Sequence, residues 1–360
     1  MSDHQPDAPA EPEVVVSTTG HLGRLELNRP RAINALNHPM VGLLQQALDA
    51  WRDDDAVRTV LLTGRGERGL CAGGDIVSIW KDAKAGTHES ARFWSDEYVL
   101  NHTIGRYPKP YVAVMDGIVL GGGIGVSAHA SHRVVTERSS LGMPETGIGF
   151  VPDVGGTWLL SHAPGELGTH LGLTAGSVGA GDAIALGLAD HFVPSDRIDE
   201  LVRRLAEEQP DAVLADLAEE APEAPLLAQR DWIDECYAGD DAAAVLARLR
   251  EHRAPEAQQA AGTLAKRSPF AVTATLRALR EAGGLADLGQ ALAMELRLTV
   301  RFLDVPDFVE GVRAQVIDKD RDPQWRPASL DEVDPAAVAA LFEPLPSGEL
   351  ELPTTSGGTA

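Results

Sequence analysis

Two glycine-rich stretches constrain the fold of this chain more than any other feature: Met115–Gly125 (MDGIVLGGGIG) and Met143–Gly156 (MPETGIGFVPDVGG). A strand-like run that passes through three consecutive glycines demands a turn with no room for a side chain. Glycine alone takes left-handed backbone without strain and lets another group approach the main chain closely. The second stretch sets Glu145 and Asp153 eight residues apart in an apolar loop broken by Gly and Pro. The loop Leu70-Cys71-Ala72-Gly73-Gly74-Asp75 repeats the first arrangement earlier in the chain, after the strand-like run Val57–Thr63 and before a helix that Asp75 can cap.

Amides at a helix start lack intrahelical partners. Either glycine loop alone reads as an ordinary tight turn. As a pair they supply two backbone donors able to converge on one oxygen, the design of an oxyanion hole, where each donor is worth roughly 3–4 kcal/mol in the transition state. Glu145, followed by Ile148, Phe150 and Val151, reads either as a buried carboxyl with raised pKa, suited to acid–base work, or as a half-exposed loop residue. Asp153 reads as a second carboxylate or as the N-cap of a helix through Trp158–Leu160, and the local sequence favours the cap. The combination suits acyl chemistry on a thioester.

Other motifs carry less. Gly123–Ala128 fits GxGxxA after a strand, but the acidic residue a dinucleotide site places about 20 positions on is missing. His129 and His132 lack a third ligand, so no metal is expected. No GxSxG or HExxH occurs, and Cys71 suits burial better than nucleophilic use.

With 360 residues the chain can bury one large core or two moderate ones. A net charge of −23 argues against nucleic acid and anionic membranes as partners, though a few local cations could still hold an anionic cofactor. Two distant cysteines support no disulfide framework and imply a reducing compartment, expected to be the cytoplasm. The start, MSDHQPDAPAEPE, has the features of neither a signal nor a transit peptide, and Tyr111–Ala130 reads as core plus loop rather than a membrane span.

Strand–loop–helix alternation from residue 13 to about 195 indicates an α/β core. It comprises a hairpin of Val14–Ser17 with Leu22–Leu27, a helix from Pro39 to about Asp53, a helix over Ser90–Arg106 and a strand at Tyr111–Met115. Residues 196–335 read as a series of helices broken at Pro210, Pro222, Pro225, Gly239–Asp240, Pro255 and Pro269. Disorder is expected for 1–12 and 346–360.

The segments Leu27–Pro30, Asn34–Leu36, Cys71–Ile76, Lys109–Gly125 and Pro144–Gly156 resemble the crotonase (enoyl-CoA hydratase/isomerase) superfamily. The distal run Asp307–Val333 (DFVEGVRAQVIDKDRDPQWRPASLDEV) resembles its 3-hydroxyisobutyryl-CoA hydrolase branch, and ordinary hydratases lack it. The resemblance spans roughly residues 14–335. It implies an α/β fold, a crotonase-like spiral of repeated ββα units with a helical C-terminal region. It also implies a coenzyme A thioester as substrate, with no separate cofactor and self-association through C-terminal helices. The two donors then fall on Gly74 and Gly122, and Glu145 stands for the second hydratase glutamate. Gly125 stands where hydratases carry the first, and Asp153 where the hydrolases have their own carboxylate. Glu97, which read locally is a solvated helix position, matches a substrate-contacting residue. Arg29, Ala32, Asn34, Ala72, Gly73, Asp75 and Ile76 lie in loops resembling those that hold coenzyme A. The expected reaction is hydrolysis of a short branched 3-hydroxyacyl-CoA, foremost 3-hydroxyisobutyryl-CoA in valine breakdown. The alternatives are a hydratase or isomerase of the same fold, or a non-catalytic acyl-CoA-binding protein.

Overall fold

A computed structural model describes residues 11–353. Nine strands form two sheets. β1 (Val14–Thr19), β2 (Leu22–Leu27), β3 (Thr59–Gly64), β4 (Tyr111–Met115), β6 (His132–Val135) and β9 (His191–Phe192) make a six-stranded sheet in the order β1-β2-β3-β4-β6-β9. Within this sheet, among the described residues, only the β1–β2 pair is antiparallel. β5 (Ile118–Leu120), β7 (Ser140–Gly142) and β8 (Ser177–Val178) make the second sheet, in the order β5-β7-β8.

The spiral is visible in how the chain alternates between the sheets. After β4 it crosses to β5, and after β6 to β7. After β3 the residue Cys71 bridges Val119 of β5, and after β2 the residue Leu36 bridges Gly74. Each turn thus lays one strand in the large sheet and a shorter piece in the small one before a helix returns. Parallel strands must be covered on both faces, so they read as continuous apolar runs rather than alternations. In β3 (TVLLTG) the first five residues are buried. Its Val60 and Leu62 face the main core, while Leu61 joins Leu22, Val112, Val114 and Val134 on the opposite face.

That opposite face is covered by the Ile198–Leu205 and Pro210–Leu217 helices, through Leu201, Leu205, Val213, Leu214 and Leu217. The helical half therefore supplies part of the sheet's own cover. The short helices Gly156–Ser161 and Leu167–Thr174 in turn pack on the Pro269–Ala282 helix. The boundary expected at 195 cuts through shared packing, because one apolar cluster runs from Val14 to Phe342. Pro210, Pro255 and Pro269, read as breaks, open new helices, where a missing N–H costs nothing.

Two expected tails divide. Residues 1–10 and 354–360 lie outside the described residues. Within 346–353, Glu349 accepts from Arg297 at 3.0 Å and Leu350 packs on the core. Glu11 pairs with Arg65. These anchors override the local Pro- and Glu-rich composition. Among the described residues no helix is long and apolar enough to cross a membrane.

Candidate active site

The two glycine turns meet because the loop after β3 runs as a partner of β5. Cys71 N donates to Ile118 O at 3.1 Å, and Leu120 N donates to Cys71 O at 2.9 Å. Both segments then turn through glycine, at Gly73 with φ +107° and at Gly121 with φ +47°. A Cβ on Gly122 would stand 3.3 Å from Gly74 N. Among the described residues neither Gly74 N nor Gly122 N donates to any acceptor in the protein. Two free donors from separate turns thus flank one small space.

Three carboxyl groups line that space with them. Glu97 on the Ser90–Gly105 helix is 2% exposed, and Glu145 and Asp153 are each 6% exposed. A Cβ on Gly121 would meet Glu145 Oε1 at 2.8 Å, and one on Gly122 would meet Glu97 Oε1 at 2.8 Å. Gly121 is required by its turn, and a side chain at either position would push aside the acid behind it. Glu97 is no solvated helix position and Glu145 no half-exposed loop residue. The cavity they enclose, with Ile79, Phe93 and Phe150 among its walls, is about 190 Å³. That is small beside the roughly 300–1,000 Å³ of common ligand pockets, and it suits a short acyl group.

Burial pushes all three acids up, because a charge out of water is costly. Asp153 rises to about 7 through burial, held back by the Tyr98 hydroxyl, which donates to Oδ2 at 2.8 Å. Glu97 and Glu145 are raised well above the usual range, first by burial and then by the charge of Asp153. A charge on Asp153 opposes ionisation of the other two. Glu97 Oε1 and Glu145 Oε2 have no partner in the protein among the described residues, which leaves both free for a substrate.

The N-cap reading of Asp153 fails. The Gly156–Ser161 helix has no side-chain cap from position 153. Its leading amides are taken by Glu295, whose Oε2 accepts from Gly155 N at 2.6 Å and whose Oε1 accepts from Thr157 N at 2.9 Å. Glu295 lies 140 residues away, on the Leu288–Phe302 helix, and no local signal pointed to it. Tyr98 and Thr299 were missed likewise. The adjacency of Tyr98 to Glu97 was the only available hint.

The loops expected to hold coenzyme A are zipped to each other. Ala72 N donates to Ile33 O, Leu36 N to Gly73 O and Asp75 N to Leu36 O. Three of the named side chains, those of Arg29, Asn34 and Asp75, are spent on this. Asn34 is fully buried, accepts from Arg29 N at 2.9 Å and donates to the Arg65, Gly69 and Leu70 carbonyls. Arg29 donates to Ala35 O at 2.6 Å and pairs with Asp75 at 3.1 Å and Glu13 at 3.2 Å. Their side chains build the loops, so contact with a ligand there falls to backbone groups and to Ala32, Ala72, Gly73 and Ile76. Ala72, Gly73 and Ile76 do line the cavity. Cys71 is fully buried and pushed up to about 12, which rules it out as a nucleophile. His129 Nε2 is taken up by Val154 O at 2.8 Å, and His132 faces Asp211.

The distal run forms the roof. Pro306–Val312 is a helix, followed by a π-helical turn over Arg313–Ile317 whose Val316 reaches the cavity. The helix packs on the 3₁₀ turn that carries Glu145. Asp307 fixes it by accepting from Ser268 Oγ at 2.5 Å and Arg326 N at 2.7 Å. Arg313 gathers Glu310, Asp318 and Asp320 within 2.5–2.8 Å and sets the course of the loop that follows.

The family model described as enoyl-CoA hydratase/isomerase matches residues 22–342. The chain belongs to the enoyl-CoA hydratase/isomerase family. Among its relatives in this family is a protein of Danio rerio named 3-hydroxyisobutyryl-CoA hydrolase, mitochondrial. It is 38% identical over 97% of this chain and 94% of its own length. An Arabidopsis thaliana relative named 3-hydroxyisobutyryl-CoA hydrolase 1 is 35% identical over 93% and 92%. A solved structure from Mycobacterium thermoresistibile, described as a carnitinyl-CoA dehydratase, superimposes with a TM-score of 0.91. It is 53% identical and is covered over 94% of this chain and 98% of its own. The names of these family members divide between hydrolysis and dehydration, so the choice falls to the geometry of the site.

Position 125 bears on that choice. A Cβ there would stand 2.7 Å from Val154 Cβ and 2.9 Å from Asn101 Nδ2. Contacts that short are not tolerated without backbone movement. The space beside Gly125, where the resemblance puts the first hydratase glutamate, is filled by a valine and a buried asparagine.

Proposed function

We propose that this chain hydrolyses the thioester of a short branched 3-hydroxyacyl-CoA, foremost 3-hydroxyisobutyryl-CoA, to the free acid and coenzyme A, a step of valine breakdown. The observation that carries this reading is the filled space at Gly125 combined with Asp153 beside Glu145. The first hydratase acid has no room, and a second carboxyl stands instead on the loop after Pro152. The names of the curated relatives support it.

In the proposed mechanism the carbonyl oxygen sits between Gly74 N and Gly122 N, which stabilise its developing charge. Glu145 passes its proton to Asp153. This yields the carboxylate that attacks the carbonyl, or that activates water, and also the acid that protonates the departing thiolate. Direct attack forms a mixed anhydride between Glu145 and the acyl group, which water then cleaves. Single turnover in ¹⁸O-water separates the routes: label in the enzyme carboxyl marks the anhydride. Glu97 receives the substrate hydroxyl through its unpaired Oε1. Coenzyme A enters only as the substrate's handle, against the 29–36 and 71–76 loops, and no other cofactor or metal takes part. The two cysteines are unpaired and buried, in keeping with a reducing compartment. We place the protein in the cytoplasm, although several relatives carry "mitochondrial" in their names.

The dehydratase name of the 53% identical structure supports a second reading, addition or removal of water on a CoA thioester with Glu97 or Asp153 as the second acid. Incubation with 3-hydroxyisobutyryl-CoA and with crotonyl-CoA tests both. Thiol release from the first supports hydrolysis. Loss of enoyl absorbance without thiol supports the second reading and refutes the first.

A further inference from the structure

Val154 and Gly155 both sit in left-handed backbone, with φ +55° and +80°. A β-branched residue held there is strained by roughly 1–3 kcal/mol, and such strain persists only where the surroundings over-determine it. The surroundings here are specific. Val154 is wedged against Gly125, and Gly156 N donates to Asp153 O at 2.6 Å. Glu295 receives Gly155 N, Thr157 N and Thr157 Oγ1, the last at 2.5 Å.

One helical turn beyond Glu295, Thr299 Oγ1 lies 3.4 Å from the Tyr98 hydroxyl that donates to Asp153. Glu295 and Thr299 are both fully buried. The Leu288–Phe302 helix thus grips the 153–157 loop on both sides of its strained valine. An Asp at 153 could have capped the helix at Gly156 itself. Because Glu295 satisfies those amides, the Asp153 carboxylate is released to face the cavity.

We propose that Glu295 is a positioning residue: by taking the leading amides of the Gly156–Ser161 helix it holds the left-handed turn at 154–155, and so aims Asp153 at the thioester. This deepens the hydrolase reading and rests on it for the substrate used in the kinetic test. Burial lifts Glu295 to about 8 against the pull of its three donors.

Glu295→Gln keeps the shape but turns an N–H₂ toward a backbone N–H. The expected result is a kcat for thiol release lower by about 10- to 100-fold, as for other misplacements near 1 Å, with KM changed by less than about twofold and a melting temperature lowered by the lost bond. A folded Glu295→Gln protein with wild-type kcat overturns the proposal, as does a loss carried by KM. Should Glu295→Gln not fold, Thr157→Val removes a single bond. It is expected to lower kcat several-fold at constant KM, and a wild-type kcat overturns the proposal there too. If the wild type does not hydrolyse 3-hydroxyisobutyryl-CoA, the functional reading falls and the crystal structure of Glu295→Gln, or of Thr157→Val, decides the positioning role alone. Asp153 drawn away from Tyr98 supports it, and Asp153 within about 0.5 Å of its present place, the tolerance of a working site, overturns it.

Discussion

Asp153→Asn is expected to make the protein more stable with rising pH while destroying its activity. Burial lifts Asp153 from 3.8 in the unfolded chain to about 7 in the fold. A carboxyl raised in this way favours folding in its protonated form. Its contribution is fully present below about pH 4 and is lost as pH climbs through 7. At about 1.4 kcal/mol per pH unit, the loss is about 2 kcal/mol at pH 5 and about 4 kcal/mol at pH 8. Asparagine does not titrate, so it escapes that loss. Its extra N–H adds a penalty of roughly 1–3 kcal/mol if unpaired, but one that does not change with pH. The diagnostic quantity is therefore the slope. The stability of Asp153→Asn relative to wild type, from urea unfolding, gains roughly 2–3 kcal/mol between pH 5 and pH 8. A flat difference would refute the buried, ionising Asp153 on which the site's electrostatics rest. A growing difference with full thiolesterase activity would refute its role in the chemistry.

Other outcomes follow from the same geometry. Glu145→Gln and Asp153→Asn each lower thiol release by roughly 100-fold or more. Wild-type activity falls as pH drops through about 7, where Asp153 takes up its proton, and that limb is missing from the residual rate of Asp153→Asn. Gly125→Ala drives a methyl against Val154 and loses about 1–3 kcal/mol of stability, read as a lower melting temperature; an unchanged value would mean that position 125 has room after all. Arg313→Ala frees the loop of Asp318 and Asp320 and slackens the roof over Glu145, raising KM several-fold with little change in kcat; an unchanged KM would detach the distal run from substrate binding.

Much of this was legible along the chain because it is written locally. The glycines at 73 and 121 announce their turns, since the left-handed backbone there strains any other residue. The apolar runs of β3 and β4 announce a sheet covered on both faces. What failed was anything decided by distant packing. Asp153 looks like a helix cap because cap propensity is local, yet Glu295 arrives from another helix and takes the amides. Arg29 and Asn34 look like ligand contacts, but their side chains are consumed in tying the 29–36 loop to its neighbours. The exposure of Glu97 could not be read from its own helix. It depended on the Gly121–Gly122 turn lying against it.

The proposed chemistry turns on Gly74 N and Gly122 N together gripping one thioester oxygen. Its most direct measurement is the isotope-edited infrared spectrum of a ¹³C=O-labelled 3-hydroxyisobutyryl-CoA bound to the slow Glu145→Gln variant. Two amide donors on the oxygen weaken the C=O bond, so the account predicts a carbonyl band moved to lower frequency than in water. A bound thioester whose band stays at or above its solution frequency would contradict it.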